Sequence, residues 1–343
     1  MTLSSQTQET GAGTKEGVSF SAHDYAHMYY PPIRNAKAFL PLARFVRKQY
    51  EQSPILDLRA VMQEMPGVEY IAAENIVILD FQRFVVRELL PSFEDGEAVI
   101  LDIGGGPTIY QHIALSLIAK RIVHSEYSEE NRNEVWQWIN KEEKSFRWEG
   151  YFDLVRYMLQ EDEVVVKEVL RQKQMYPLYA RGTILSYLLT TEIQISVLQQ
   201  YVRDLITDVA HGDVFKKDLD LPVEVPAKFD VVTCNFVIES ATGDCAQWEI
   251  GMKNSIAHIQ QGGYFVLTSI KDCDWYSVGD KKVPACNVDE HDIKEICERN
   301  GIRVIAQRVL NGCDKATFGY EGMVFTLGQF GKPEPKPDYK FKW

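Results

Sequence analysis

The sequence predicts an α/β protein with a mostly parallel sheet covered by helices. Three observations carry that expectation. Ala98–Ile103 is a continuous apolar run, as a strand buried on both faces requires. Strand-like and helix-like segments alternate from there almost to the C-terminus. Only about a dozen residues join the last two strand-like runs, too few for a crossover helix. That connection contains Gly312, Gly319 and Gly322, so an antiparallel pair is expected at the sheet edge.

Residues 1–17 are rich in Ser, Thr, Gln and Gly and read as a flexible arm. Residues 18–95 read as an N-terminal helical cap. In it, a short helix from Phe20 to Tyr30 stops at Pro31-Pro32, and helices are expected at Ala36–Tyr50 and Tyr70–Leu90. In the last of these, Ile71, Asn75, Ile78, Phe81, Val85 and Leu89 keep close to helical spacing. A ligand-binding domain spans 96–330. Its strands are expected at Ala98–Ile103, Arg121–Ser125, Phe229–Phe236, Gly263–Ile270, Ile302–Leu310 and Met323–Leu327. Helices are expected at Glu129–Lys144, Cys245–Ile259 and Asp289–Asn300, the last with Asp289 as N-cap and Gly301 past its end. Residues 151–210 read as a helical insertion, with helices at Val164–Gln172 and Ile184–Val209. Residues 331–343 form a Lys/Pro-rich tail.

Composition narrows the function. Of 343 residues, 45% are hydrophobic and 25% charged, which suits a globular chain. No run of 18 apolar residues and no apolar N-terminal stretch is present, which disfavours a membrane span and a secretory signal. A net charge of −12 disfavours nucleic acid, because phosphate binding needs Lys and Arg to displace counterions. The six cysteines (Cys234, Cys245, Cys273, Cys286, Cys297, Cys313) show no CxxC spacing and read as reduced thiols of a cytoplasmic protein.

The chemistry begins at Asp102-Ile-Gly-Gly-Gly-Pro-Thr108, where a strand enters a glycine turn that opens a helix. Glycines let the backbone turn sharply and let a ligand touch main-chain atoms. Glu126 ends the following strand, where an acid can accept both hydrogens of a ribose diol. A nicotinamide dinucleotide would fit these two features. However, the third glycine of its fingerprint is replaced by Ile109, and Asp102 places a carboxylate beside the turn that would repel a pyrophosphate. S-adenosylmethionine, a cationic sulfonium nucleoside, needs no phosphate site.

Asp102-Ile-Gly-Gly-Gly-Pro-Thr-Ile-Tyr-Gln111 resembles the cofactor loop of the nicotinamide, phenylethanolamine and thioether methyltransferases, differing mainly at Gly105, where Ser is common. The resemblance continues in the tyrosine segment Phe20–Tyr30, in Glu126-Tyr-Ser128 with Asn131, and in Trp138 through Trp148. It extends to Gly212-Asp-Val214, Ile238-Glu-Ser240, Gly262-Gly263 and Trp275-Tyr276, in the same order. It covers about three quarters of the chain. Extra residues around Glu51–Glu69 and Val155–Leu198 depart from it. The resemblance implies a class I, Rossmann-like methyltransferase fold, seven strands with an antiparallel edge hairpin, and S-adenosyl-L-methionine as cofactor. It implies that Gly104, Gly105 and Tyr110 hold the cofactor's methionine part, and that Glu126 holds the ribose with Asn131 near it. Asp213 and Val214 frame the adenine, Tyr25 and Tyr30 close over the cofactor, and Asn235 is a further cofactor contact.

Asp230–Asn235 leads to Glu239 just past a central strand, where open α/β sheets bind ligands. The resemblance gives Glu239 the substrate amine, as catalytic and substrate-binding residue. It draws further substrate contacts from Ser269–Tyr276: Ser269, Asp272 or Asp274, and Tyr276. Glu321 is a weaker candidate. Acids beside aromatics suit an ammonium or guanidinium group. The expectation is N-methylation of a small basic amine or guanidino compound without a metal. Alternatives are a ring nitrogen, thioether or oxygen acceptor, a noncatalytic cofactor-binding protein, or a nicotinamide oxidoreductase. His23 and His27 stand at metalloprotease spacing, but Asp24 occupies the Glu position and no third ligand is evident.

Overall fold

The structure is a computed structural model that describes residues 21–64, 66–93, 96–175, 195–278 and 281–331. The expected arm and all but the first residue of the tail lie outside these, as do residues 176–194 of the expected insertion.

Helix α1 (Ala22–Tyr29) starts at Ser21, whose hydroxyl accepts the Asp24 N–H, and ends just before the two prolines. A 3₁₀ turn at Ala36–Phe39 leads into α2 (Leu40–Gln52), followed by β1 (Ile55–Asp57) and α3 (Leu58–Glu64). Helix α4 (Tyr70–Leu89) is buried along most of its length, including Glu74, Asp80 and Arg83. Asp80 accepts from Arg83 at 2.8 Å and from Arg308 at 3.2 Å, and Arg83 also pairs with Asp162. Buried charges persist only when paired in this way.

The sheet begins with β2 (Ala98–Ile103) and continues through α5 (Tyr110–Leu115), β3 (Ala119–Glu126) and α6 (Glu129–Ile139). Among the described residues, α7 (Glu149–Gln160), α8 (Glu163–Met175) and α9 (Ile195–Leu205) follow. Then come β4 (Ile206–His211), β5 (Phe229–Asn235), α10 (Cys245–Ile256), β6 (Ile259–Lys271) and a hairpin of β7 (Trp275–Val278) and β8 (Lys281–Pro284). Helix α11 (Glu290–Arg299), β9 (Ile302–Asn311) and β10 (Gly322–Phe330) complete it. Asp289 caps α11 as expected: its carboxylate accepts the His291 and Asp292 N–H groups, and Asp292 reciprocates.

The strand order is β1-β9-β10-β6-β5-β2-β3-β4. Strand β10 is antiparallel to both β6 and β9, and the other pairings are parallel. The expected antiparallel pair is therefore present, but β1 adds an eighth strand outside it. Alternate β2 residues face opposite ways. Ala98 and Ile100 join a core shared with α4, α5 and α7, while Leu101 and Ile103 join a core under α10 and α11. Both faces of the strand are thus dry, which is why its sequence does not alternate.

Two expectations are corrected. The helix expected to reach Lys144 stops at Ile139, and Lys141 takes a φ of 60° in the turn that follows. The helix expected over Ile184–Val209 ends at Leu205, and Ile206–Val209 belong to β4, paired with β3.

Candidate active site

The turn after β2 is built on left-handed backbone. Gly104 and Gly106 have φ of 62° and 63°, conformations that favour glycine. Gly104 also packs so closely on Val237 that a Cβ would lie 2.4 Å from its Cγ1. The Gly105 N–H donates to the Ser125 carbonyl at 3.1 Å, tying the turn to β3.

Beneath the turn lies a sealed polar cluster. Asp102 accepts from the Thr233 hydroxyl (2.6 Å) and from the Gln111 amide (2.9 Å). His112 Nε2 and His124 Nδ1 are 3.1 Å apart, and His124 Nε2–H donates to the Gly106 carbonyl at 3.1 Å. Burial favours a neutral Asp102, but hydrogen bonding to His124 and the two imidazoles hold its pKa below the usual value. Burial pushes His112 down to about 4, so its ring is neutral. Asp102 stands beside the turn without lining it: the carboxylate is fully buried and braces the turn from below. Gly105 is explained here as well. A Cβ at that position would sit 2.2 Å from the His124 ring, in the space that a Ser side chain would need. Among the described residues, Asp102, His112 and His124 are the grouping with metal-ligand spacing, and they bond to one another. His23 instead meets His27 (3.0 Å) and Glu134 (3.4 Å).

Glu126 ends β3 beside this turn. Its Oε2 accepts the Gly106 N–H at 3.0 Å, and its Oε1 accepts the Ser128 N–H (2.8 Å) and the Asn131 amide (3.1 Å). Glu126 and Asn131 are thus brought together. The Gly212 N–H donates to the Glu126 carbonyl (3.3 Å), which sets Asp213 and buried Val214 next to the same strand end. Asp213 accepts the Phe215 N–H at 2.9 Å. Just past α1, Tyr30 packs at a tilt on Tyr110 with centroids 4.9 Å apart, and within α1 Tyr25 packs at a tilt on Tyr29 at 4.7 Å. Burial raises all four hydroxyls, so they remain neutral donors.

The opposite wall carries the second acid. Asn235 ends β5, and both polar atoms of its amide are buried without a partner among the described residues. Phe236 takes a φ of 59°, and the chain then carries Glu239 inward to 1% exposure. Glu239 Oε1 accepts the Ile270 N–H at 2.9 Å, and Oε2 has no partner among the described residues. Burial pushes the acid up to about 7, although bonds from Ile270 and Ser269 pull the other way. Ser269 therefore lies beside Glu239. Tyr276 faces it too, its hydroxyl raised to about 12 by burial and then by the Glu239 charge.

The two loop acids are not brought into this group. Asp274 is paired with Lys315 (3.1 Å) and Asn287 (2.8 Å) and is exposed, and Asp272 neighbours Lys271 at 3.5 Å. Glu321 is likewise exposed and held by Lys315. Two residues escaped the sequence reading. Tyr29 donates to the Ser277 carbonyl (3.2 Å), tying α1 to the β7 hairpin, and its four-residue spacing from Tyr25 was the available signal. Glu74, buried in α4, accepts from the Tyr320 hydroxyl at 2.9 Å and is pushed up to about 7 by burial. An acid within the apolar first half of a helix was its only trace. The arrangement offers hydrogen-bond acceptors for a diol on one wall and a proton acceptor on the other.

The profile of the NNMT/PNMT/TEMT family matches residues 68–175 and 182–329. Phenylethanolamine N-methyltransferase of Mus musculus is 24% identical over 223 residues, which is 64% of this chain and 65% of that enzyme. Nicotinamide N-methyltransferase of Caenorhabditis elegans is 23% identical over 209 residues, covering 61% and 68% of the two chains. Indolethylamine N-methyltransferase of Mus musculus is 21% identical over 268 residues, covering 76% and 87%. The match spans just under two thirds of the first of these relatives.

Proposed function

Because the chain belongs to the NNMT/PNMT/TEMT family, we propose that it is an S-adenosylmethionine-dependent N-methyltransferase of a small basic amine or guanidino compound. The observation that carries this reading is Glu239: a buried carboxyl poised near neutrality, with one free oxygen, past the strand next to the glycine turn.

The residues present fit the cofactor. The turn is open at Gly106, where a Cβ would meet nothing within 4 Å, and the buried Asn235 amide has two polar atoms to offer. Gly104, Gly105 and Tyr110 would hold the methionine part, and Glu126 with Asn131 the ribose. Asp213 and Val214 would frame the adenine, with Tyr25 and Tyr30 over it. When bound, the cofactor supplies an electrophilic methyl group on a sulfonium.

An amine reaches the site mostly protonated, whereas a nucleophilic nitrogen needs a lone pair. Glu239 Oε2 takes that proton, directly or through one water. A carboxylate whose pKa lies near the working pH suits this task. Tyr276 and Tyr29 offer aromatic surface to a cation, and Ser269 steadies Glu239. Asp272 and Asp274, tied to lysines, act at most from a distance. The rest of the acceleration comes from holding nitrogen and methyl in line. On its cysteine pattern, we place the protein in the cytosol.

The test is incubation with methyl-labelled cofactor and an amine panel, read by mass spectrometry. Labelled product from a basic amine is expected. Transfer only to thioether, hydroxyl or ring-nitrogen acceptors would overturn the amine assignment, and no transfer to any acceptor would overturn the enzyme.

A further inference from the structure

Cys245 and Cys286 are distant in sequence, yet their sulfurs lie 3.0 Å apart. Cys245 opens α10 and is exposed, while Cys286 follows β8 and is fully buried. The other four thiols are buried.

Both members of the pair are attached to the acceptor-side acid. The Cys286 N–H donates to the Glu239 carbonyl at 2.8 Å. Cys245 closes the loop that starts at Glu239, and within that loop a Cβ on Gly243 would lie 3.1 Å from Pro284. The Ala285 N–H donates to the Asp274 carbonyl at 3.2 Å, so the segment on which the loop rests is continuous with the β7–β8 hairpin. That hairpin carries Tyr276 and meets Tyr29 at Ser277. Two irregular segments therefore meet at Glu239, and the two thiols sit where they touch. The separation exceeds a disulfide bond by only about 1 Å, a movement that loops absorb more readily than regular elements.

We infer that Cys245 and Cys286 form a redox modification site, in which a small-molecule disulfide of the glutathione class converts the pair to an intramolecular disulfide that latches the cover over Glu239. Exposed Cys245, as thiolate, attacks one sulfur of the oxidant and expels the first thiolate, leaving a mixed disulfide. Cys286 gives its proton to water and attacks the Cys245 sulfur, which expels the second thiolate. The protein loses two electrons and two protons, and one small disulfide becomes two thiols. Burial, with Cys245 and the Glu239 charge adding to it, pushes the Cys286 thiol up, so this second step is the slow one and quickens as pH rises.

The bond itself follows from the thiol geometry. Its effect on turnover rests on the methyltransferase reading. The test treats the full chain with oxidised glutathione, quenches with an alkylating agent and maps peptides by mass spectrometry. A crosslinked Cys245–Cys286 peptide about 2 Da lighter than its reduced parts is expected, reversed by dithiothreitol and absent from folded Cys245→Ser. Stable glutathione on Cys245, or an unmodified Cys245, would overturn the site. The oxidised form should bind S-adenosylhomocysteine as the reduced form does, but methylate amines about tenfold more slowly until reduced. Equal turnover of the two forms would overturn the latch. A chain that forms the disulfide yet binds no S-adenosylhomocysteine in either form would support the thiol site and overturn the methyltransferase reading.

Discussion

On the β3 side of the crevice, Glu126 has both carboxylate oxygens bonded, and Asp102, Gln111, Thr233 and two histidines brace the glycine turn from beneath. On the β5 and β6 side, the Asn235 amide and Glu239 Oε2 are buried without partners among the described residues, as are Ser125 Oγ and Asn131 Oδ1 on the β3 side. The acid of the first wall is preorganised by bonds already made. The second retains the polar atoms that a reaction uses, at the desolvation cost such groups carry. A wall built for recognition should tolerate little change of shape, and a wall built for proton transfer little change of charge.

The sharpest way to break that contrast is Glu239→Gln, which keeps the shape and removes the base. Turnover is expected to fall by about 10²–10⁴-fold in steady-state assays. Wild-type turnover would remove Glu239 from the chemistry. The pH profile comes next. Burial holds the Glu239 proton until pH approaches 7, so kcat/KM should rise about tenfold per pH unit up to there and then level off. Glu239→Gln should lose that limb, whereas Glu74→Gln, which removes the other acid held near 7, should keep it. The same shift lowers stability as pH rises: the native state holds a proton that the unfolded carboxyl releases from about 4.5 upward, and the contribution is gone once pH passes about 7. A smaller effect tests the first wall. Gly105→Ser places a Cβ against His124 and should cost about 1–3 kcal/mol in denaturant unfolding, with His124→Ala in the same chain restoring part of it.

What could be read in advance follows the same division. Ala98–Ile103 was legible to the residue because a strand dry on both faces has no alternation, and glycines mark its end. The reversal at β10 was legible from a connection too short to cross over. Strand β4 was hidden because Ile206–Val209 follow directly on the amphipathic run of α9, and only pairing with β3 makes them extended. The three residues of β1 carry no pattern of their own. Glu126 and Glu239 could be placed because each ends or follows a strand. The true partners of Asp102 could not, since His112, His124 and Thr233 arrive from α5, β3 and β5 and meet only in the folded chain.

Calorimetric titration of S-adenosylhomocysteine into the wild type, Glu126→Ala and Glu239→Gln tests the division of labour most directly. Loss of charged hydrogen bonds to the ribose should weaken Glu126→Ala by about 10–100-fold, while Glu239→Gln binds within about twofold of the wild type. Equal affinity of all three proteins, or weakening confined to Glu239→Gln, would contradict the assignment of the nucleoside to the β3 wall.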